Sequence, residues 1–304
     1  MKNSFFNKHA LVCGSTDGIG KESAIQLAKN GCEVTLISRN EKKLIKTLGE
    51  LSTKENQSHS FLVADFNETL LLEKNNINNT IVFFGSARLK SKEQALEDLE
   101  LEKTNPDDTN IKILETDLKM SRYYEEARQL AGKYSEWSRS FASEKQEYII
   151  CSGGGPGIME AANRGSAEVG AKNIGLTISL PFEDSGNDWI TEGLNMKFHY
   201  FFMRKFWFLY HAKAIVVWPG GFGTLDELME VLTLIQTKKI MKSLPIVLYG
   251  KEFWKKVVNW DYLVEVGTIA KEDLDLLYFT DDVDDAFNYV TNFIKNNKIE
   301  GPIF

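Results

Sequence analysis

Cysteine is scarce in this chain: three residues in 304, Cys13, Cys32 and Cys151, with no Cys-x-x-Cys pair among them. That excludes a disulfide-dense secreted scaffold and a paired-cysteine redox or metal motif. Each cysteine lies in or beside an apolar strand-like run, where the residue usually acts as a small buried hydrophobe, and a reduced, cytoplasmic setting fits. No uncharged stretch reaches the roughly 18 residues that a membrane span requires. The start, MKNSFFNKH, lacks the continuous apolar segment of a signal peptide. There is no long basic run, and the net charge of −7 argues against a nucleic-acid polymer as partner. No His/Cys/Asp cluster has ligand spacing, so no metal is expected, and no site pattern for a pyridoxal cofactor is visible.

What the chain does have is a 43% hydrophobic content, enough to bury a full core in two small domains or one large one. The stretch around which the rest is organised is AIVVWPGGFGTLDELMEVLTLI, from Ala214 to Ile235. An apolar β-branched run stops at Pro219, passes through Gly220, Gly221 and Gly223, and opens into an amphipathic helix expected to begin near Thr224. Free N–H groups and the positive end of the dipole at such a helix start favour an anion, usually phosphate. Glycines let the backbone approach it without a Cβ in the way. Asp226 is read as complementing the dipole in the first turn; Glu227 is read as a candidate for chemistry on whatever the phosphate carries.

PGGFGTLDE resembles the PGGxGTxxE signature of the LOG family, often labelled lysine decarboxylases, which includes cytokinin riboside 5'-monophosphate phosphoribohydrolases. A second block, SGGGPGIMEAANRG (Ser152 to Gly165), resembles that family's other glycine motif, and FFMRK (Phe201 to Lys205) carries Arg204 where those enzymes have their essential arginine. Cytokinin-activating members commonly show Met-His-x-Arg-Lys there, whereas this chain has Phe201 and Phe202. The resemblance covers roughly Asn79 to Phe304. It implies hydrolysis of the N-glycosidic bond of a purine nucleoside 5'-monophosphate, N6-modified adenine being among the bases the resemblance admits, with Arg204 and Glu227 catalytic. Gly85, Ser86, Gly153, Gly154, Gly155, Gly157, Lys205, Gly220, Gly221, Gly223 and Thr224 are then expected to hold the substrate phosphate and ribose. No cofactor is required by such a reaction. A homodimer is expected, since family members pair through helices of the Phe198 to Tyr210 region. A non-catalytic nucleotide-binding or carrier protein remains the alternative.

The N-terminal residues 1–73 read differently. HALVC, CEVTLISRN and SFLVADF are strands alternating with helices in CGSTDGIGKESAIQLAKNG and EKKLIKTLGELS, a β-α-β-α-β order that is half of a dinucleotide-binding fold. The spacing of Gly14, Gly18 and Gly20 resembles the nucleotide loop of short-chain dehydrogenases. In that family a basic residue after the second strand, here Arg39, faces a 2'-phosphate, and an acid ending the third strand, here Asp65, lies near the adenine. NADP(H) is therefore a possible ligand of this module. However, such enzymes need a Tyr-x-x-x-Lys pair so that the lysine can lower the tyrosine's pKa for proton transfer, and no tyrosine here has a lysine four positions on. The segment reads as a truncated module, structural, vestigial or dinucleotide-sensing.

KNNINN, Lys74 to Asn79, suits a linker, and residues 79–304 form the second domain. TIVFFGSARLK is its first strand, leading into Ser86 and Arg88. Residues 88–120 are charged, with one helix-like piece broken by NPDDTN, and read as a mobile surface insertion. A helix at Ser121, the strand and loop YIICSGGG, the strand NIGLTISLP and the polar loop Pro181 to Thr191 follow. MKFHYFFMRKFWFLYHAK reads as one helix, apolar on nearly every face and therefore buried. LPIVLYG reads as the last clear strand, KEFWKKVVNWDYLVEVGT as its helix, and DDVDDAFNYVTNFIKN as a terminal amphipathic helix. The alternation as a whole predicts an α/β protein with a doubly wound, Rossmann-like parallel sheet, preceded by a half-Rossmann module.

Overall fold

A computed structural model describes residues 5, 8–38, 40–54, 56–63, 72, 74–103, 108–144, 147–178, 186–198, 201–241 and 243–297. The chain divides into two compact units, Met1–Lys74 and Asn75–Phe304.

In the first unit, strands β1 (His9–Cys13), β2 (Glu33–Ser38) and β3 (Ser60–Val63) form a parallel sheet in that order. Helices α1 (Gly18–Lys29) and α2 (Glu41–Leu48) connect them. Alternate strand residues Val12, Val34 and Leu36 pack with Ala24, Ala28 and Leu44 into one small core, as a period of two on strands and a helical stripe require. The half-Rossmann order read from the sequence is what forms.

The second unit is a seven-stranded, all-parallel sheet. Its strands are β4 (Asn79–Phe84), β5 (Tyr148–Ser152), β6 (Asn173–Ile178), β7 (Asn195–Phe198), β8 (Ala212–Val217), β9 (Ile246–Tyr249) and β10 (Leu277–Thr280), in the order β10-β9-β8-β4-β5-β6-β7. The chain winds outward from β4 to β7, then returns to the other side of β4 for β8. The order therefore reverses between β4 and β8. Strands β4, β5, β6, β8 and β9 are buried along their length, the signature of a parallel sheet covered on both faces. Helices α3 (Lys92–Glu102), α4 (Asp108–Met120), α5 (Arg122–Ser138), α6 (Ile158–Glu168), α7 (Phe201–Tyr210), α8 (Phe222–Gln236), α9 (Lys251–Val257), α10 (Trp260–Glu265) and α11 (Val283–Asn297) complete the unit. Its core is aromatic: Phe83, Trp218, Tyr249 and Tyr134 are buried together, and Trp218 stacks on Tyr249 with ring centroids 4.0 Å apart. Helices α5 and α6 touch at Gly165, where a Cβ would run into the Arg128 carbonyl.

Several local expectations are corrected. MKFHYFFMRKFWFLYHAK is not one helix: it contributes the edge strand β7, then α7, then the start of β8. Met196 and Phe198 are buried while Asn195 and Lys197 are exposed, so a two-residue alternation, masked by the dense aromatics, sets the strand. Nor is α7 buried all round, because Phe201, Phe202 and Phe206 are exposed. The surface insertion is largely helical, α3 and α4 being tied by Lys90, whose Nζ lies 2.8 Å from Asp98 and 2.9 Å from Asp117. The helix after β9 breaks at Val258, and Asn259 caps the next one by accepting from the Tyr262 N–H. A further strand, β10, follows β9. Cys32 and Cys151 are buried as expected, but Cys13 is exposed.

Candidate active site

Because the strand order reverses between β4 and β8, a crevice opens beyond their carboxyl ends, where ligands of open α/β sheets bind. Pairing puts Phe84 opposite Val217 and Phe83 opposite Ser152, so the loops after β4, β5 and β8 leave the sheet at one level. Main-chain hydrogen bonds then stitch them together. The Ser86 N–H donates to the Pro219 carbonyl at 3.1 Å, and the Ile158 N–H donates to the Ser86 carbonyl at 3.0 Å. Gly157 caps α6 with φ of +70° beneath the Ser86 carbonyl, a position only glycine fills without strain.

These loops line a cavity of about 620 Å³. Gly85, Ser86, Gly153, Gly154, Gly155, Arg204, Gly221, Gly223, Thr224 and Glu227 all reach it, together with Arg88 and the apolar side chains of Met159, Ile178, Phe201, Phe208 and Phe222. Of the expected site residues in this unit, Gly157 and Gly220 lie behind the wall, the latter against the Thr224 side chain. Lys205 is also outside the lining. Helix α8 begins at Phe222, two residues before the expected start, with Gly221 as its cap. Its first N–H groups and positive dipole end therefore face the cavity from the glycine turn itself. Asp226 does not cap it but pairs outward with Lys205.

Glu227 is only 8% exposed. Arg204 Nη2 lies 3.9 Å from its Oε1, and Lys205 Nζ 3.3 Å from its Oε2. Burial pushes its carboxyl above the ordinary glutamate range, opposed by the charges of Lys205 and Arg204. Burial likewise lowers Arg204 against the pull of Glu227 and Asp226, though a guanidinium remains charged throughout. The Arg204 guanidinium is held between the rings of Phe201 and Phe208, at 5.3 and 5.5 Å from their centroids. A Cβ at Gly153 would lie 3.8 Å from its Nη1, so it spans from the β5 loop to Glu227. Its Nε is buried without a hydrogen-bond partner among the described residues. An oriented, desolvated cation with spare donors is suited to an anionic or polyhydroxylated ligand.

Behind the β5 loop runs a buried amide network that the sequence reading did not identify. The Asn187 side chain donates to the Gly154 and Gly155 carbonyls at 3.1 and 3.0 Å. It also donates to Asn163 Oδ1 at 3.0 Å. Asn163 in turn binds Ser152 and Asn173. The signal available was Asn163 itself, a polar residue on the apolar face of α6 set by Ile158, Ala161, Ala162 and Gly165.

In the first unit, α1 starts at Gly18, and Gly14 and Gly18 have φ of +64° and +55°. Gly20 packs under the Gly14 carbonyl, closing the turn. Asp17 is held below the ordinary aspartate range by its hydrogen bond from Lys43. Arg39 and Asp65 lie outside the described residues. Among the described residues no group of His, Cys, Asp or Glu is arranged to hold a metal, and no helix is long and apolar enough to cross a membrane.

Fold and crevice define the second unit as a doubly wound α/β protein with a glycine-walled cavity at its switch point. Residues 159–290 match the family described as "Possible lysine decarboxylase", and residues 8–74 match "short chain dehydrogenase". Both resemblances carried by the sequence blocks are thereby borne out. Among curated proteins, the very-long-chain 3-oxoacyl-CoA reductase of Anas platyrhynchos is 48% identical over 59 residues, 19% of this chain and 19% of that protein. The hydroxysteroid dehydrogenase-like protein 1 of Gallus gallus is 43% identical over 63 residues, 21% and 19% respectively. The chain thus spans about a fifth of the length of these relatives. Among solved structures, the molybdenum cofactor binding protein of Rippkaea orientalis is 14% identical, covering 71% of this chain and 98% of that one with a TM-score of 0.44. The Moco carrier protein of Chlamydomonas reinhardtii is 16% identical, covering 72% and 99% with a TM-score of 0.41.

Proposed function

We propose that the second unit hydrolyses the N-glycosidic bond of a purine nucleoside 5'-monophosphate, releasing the free base and ribose 5-phosphate. The observation that carries this reading is a single carboxylate, Glu227, buried one turn inside the α8 N-terminus and facing the same cavity as the Arg204 guanidinium. The match to the lysine-decarboxylase-like family supports a phosphoribohydrolase type of chemistry. In this reading the 5'-phosphate sits on the first N–H groups of α8 and the Thr224 hydroxyl. The base lies along the apolar wall of Met159, Ile178, Phe201 and Phe222. An N6-modified adenine, as in cytokinin activation, is one base of this class.

As the bond from C1' to the base nitrogen breaks, its electron pair leaves with the base and positive charge builds on the ribose ring. Glu227 stabilises that charge and accepts a proton from the attacking water, whose oxygen bonds to C1'. The proton balance closes when the departing base takes one up. Arg204 orients Glu227 and holds the sugar phosphate. No cofactor is required. A homodimer in the cytoplasm belongs to the same proposal, supported by three exposed phenylalanines on α7, Phe201, Phe202 and Phe206, an apolar patch of the kind that marks association surfaces.

The test is a panel of nucleoside monophosphates, AMP and N6-modified AMP first, with detection of free base. Glu227→Gln is expected to lower turnover by roughly 10²- to 10⁴-fold while AMP affinity, by calorimetry, changes less than a few-fold. Product release unchanged in that variant would refute the assignment. Binding without any free base would leave the nucleotide-carrier alternative, since the same donors hold a phosphate whether or not the bond breaks. A second reading, that the first unit senses NADP(H) and regulates the second, is favoured by the dehydrogenase match over residues 8–74 and the closed Gly14 to Gly20 turn.

A further inference from the structure

Three carboxylates of α8 compete for one ammonium. Lys205 Nζ lies 2.8 Å from Asp226 Oδ2, 2.7 Å from Glu230 Oε2 and 3.3 Å from Glu227 Oε2. Asp226 and Glu230 are four residues apart and share one side of the helix; Glu227 is about 100° further round and faces the cavity. An ammonium has three donors, so all three contacts coexist, but the weakest by distance goes to Glu227. Burial works against the Lys205 charge, and the bonds it donates to Asp226 and Glu230, with the charges of Glu227 and Glu230, outweigh it, holding the ammonium above the ordinary lysine range.

We propose that Asp226 and Glu230 are positioning residues that draw the Lys205 ammonium away from Glu227 and so keep that carboxylate free to act as a base. Without their charges Lys205 is left with one full anion, Glu227, and closes on it. A cation at hydrogen-bond distance stabilises the ionised carboxylate and occupies its lone pairs, giving a weaker, obstructed base. Loss of two neighbouring like charges acts in the same direction. The other charged groups acting on Glu227 are Arg204 on α7 and Glu230 itself; Arg88 lines the same cavity from the turn after β4, and neither arginine is altered by the exchange. The Asp226 and Glu230 side chains are 63% and 36% exposed, so solvent screening limits the effect to a tuning one. The inference rests on Glu227 being the base of the proposed hydrolysis.

The experiment uses the full chain with Asp226→Asn and Glu230→Gln combined. The Glu227 carboxyl is titrated by carbon-13 NMR on ligand-free protein, assigned by its absence in Glu227→Gln, and the pH profile of AMP hydrolysis is recorded in parallel. Both inflections are expected to move to lower pH by about half to one unit, with kcat at neutral pH falling roughly two- to fivefold. Lys205→Met is expected to move them upward. Asp226→Asn alone, at an exposed position, gives the same direction with a smaller shift if the double variant unfolds. A Glu227 titration that stays in place or moves upward in these acidic-residue variants overturns the proposal. If the titration moves as expected but no nucleotide yields free base, the placement of Lys205 stands and the hydrolytic reading fails.

Discussion

At the scale of single residues, the decisive feature is that a carboxylate and a guanidinium share one desolvated cavity without a tight ion pair. At 3.9 Å, Arg204 and Glu227 attract each other yet keep donors and acceptors in reserve for a ligand. Burial raises the Glu227 carboxyl, and the base must be ionised to work. The sign follows: activity is low below the raised pKa and grows as pH climbs through it. The kcat/KM profile is therefore expected to rise with an inflection above the ordinary glutamate value of about 4.3; an inflection at or below that value would contradict the placement. The Arg204 guanidinium lies over the rings of Phe201 and Phe208, which suits a planar group and not an ammonium. Arg204→Lys is expected to weaken AMP binding by roughly 10- to 100-fold, the worth of about 1.5–3 kcal/mol for a charged hydrogen bond, as read by calorimetry.

At the scale of elements, the site is assembled from three strand ends and two helix starts, and its rigidity comes from close packing behind them. Helix α6 carries the cap of the β5 loop at its start and Asn163 along its buried face, and it is pressed on α5 at Gly165. Gly165→Ala places a methyl group against the Arg128 carbonyl, which is backbone and cannot rotate aside. The expected cost is about 1–3 kcal/mol, seen as a lower urea midpoint with an unchanged slope. An equal shift for Gly223→Ala, exposed and with nothing within 4 Å of the added Cβ, would show that the effect is not one of packing. Element boundaries also explain where local patterning misled. Around residues 195–212 the aromatics obscure a change of period from two to 3.6 and back, whereas α8 and β8 were legible because glycine and proline punctuate them.

At the scale of the whole molecule, each unit has its own sheet and core. Two thermal transitions are therefore expected by scanning calorimetry. AMP should raise only the transition of the second unit. NADPH, if the first unit binds it, should raise the other, and Gly18→Trp, which forces a side chain onto a backbone at φ of +55°, should abolish that shift. A single transition moved equally by both ligands would contradict this independence.

The order of the strands and helices other than β7 and β10, the two glycine loops and the candidates Arg204 and Glu227 were legible in the sequence, because local punctuation and short motifs write them directly into neighbouring positions. Tertiary structure alone decided the rest. It set the reversal between β4 and β8, the added strands β7 and β10, the amide network from Asn163 to Asn187, and the turning of Lys205 away from the cavity toward Asp226 and Glu230. Each of these depends on groups brought together from distant parts of the chain or on a direction around a helix, and side-chain spacing along one strand of text carries neither.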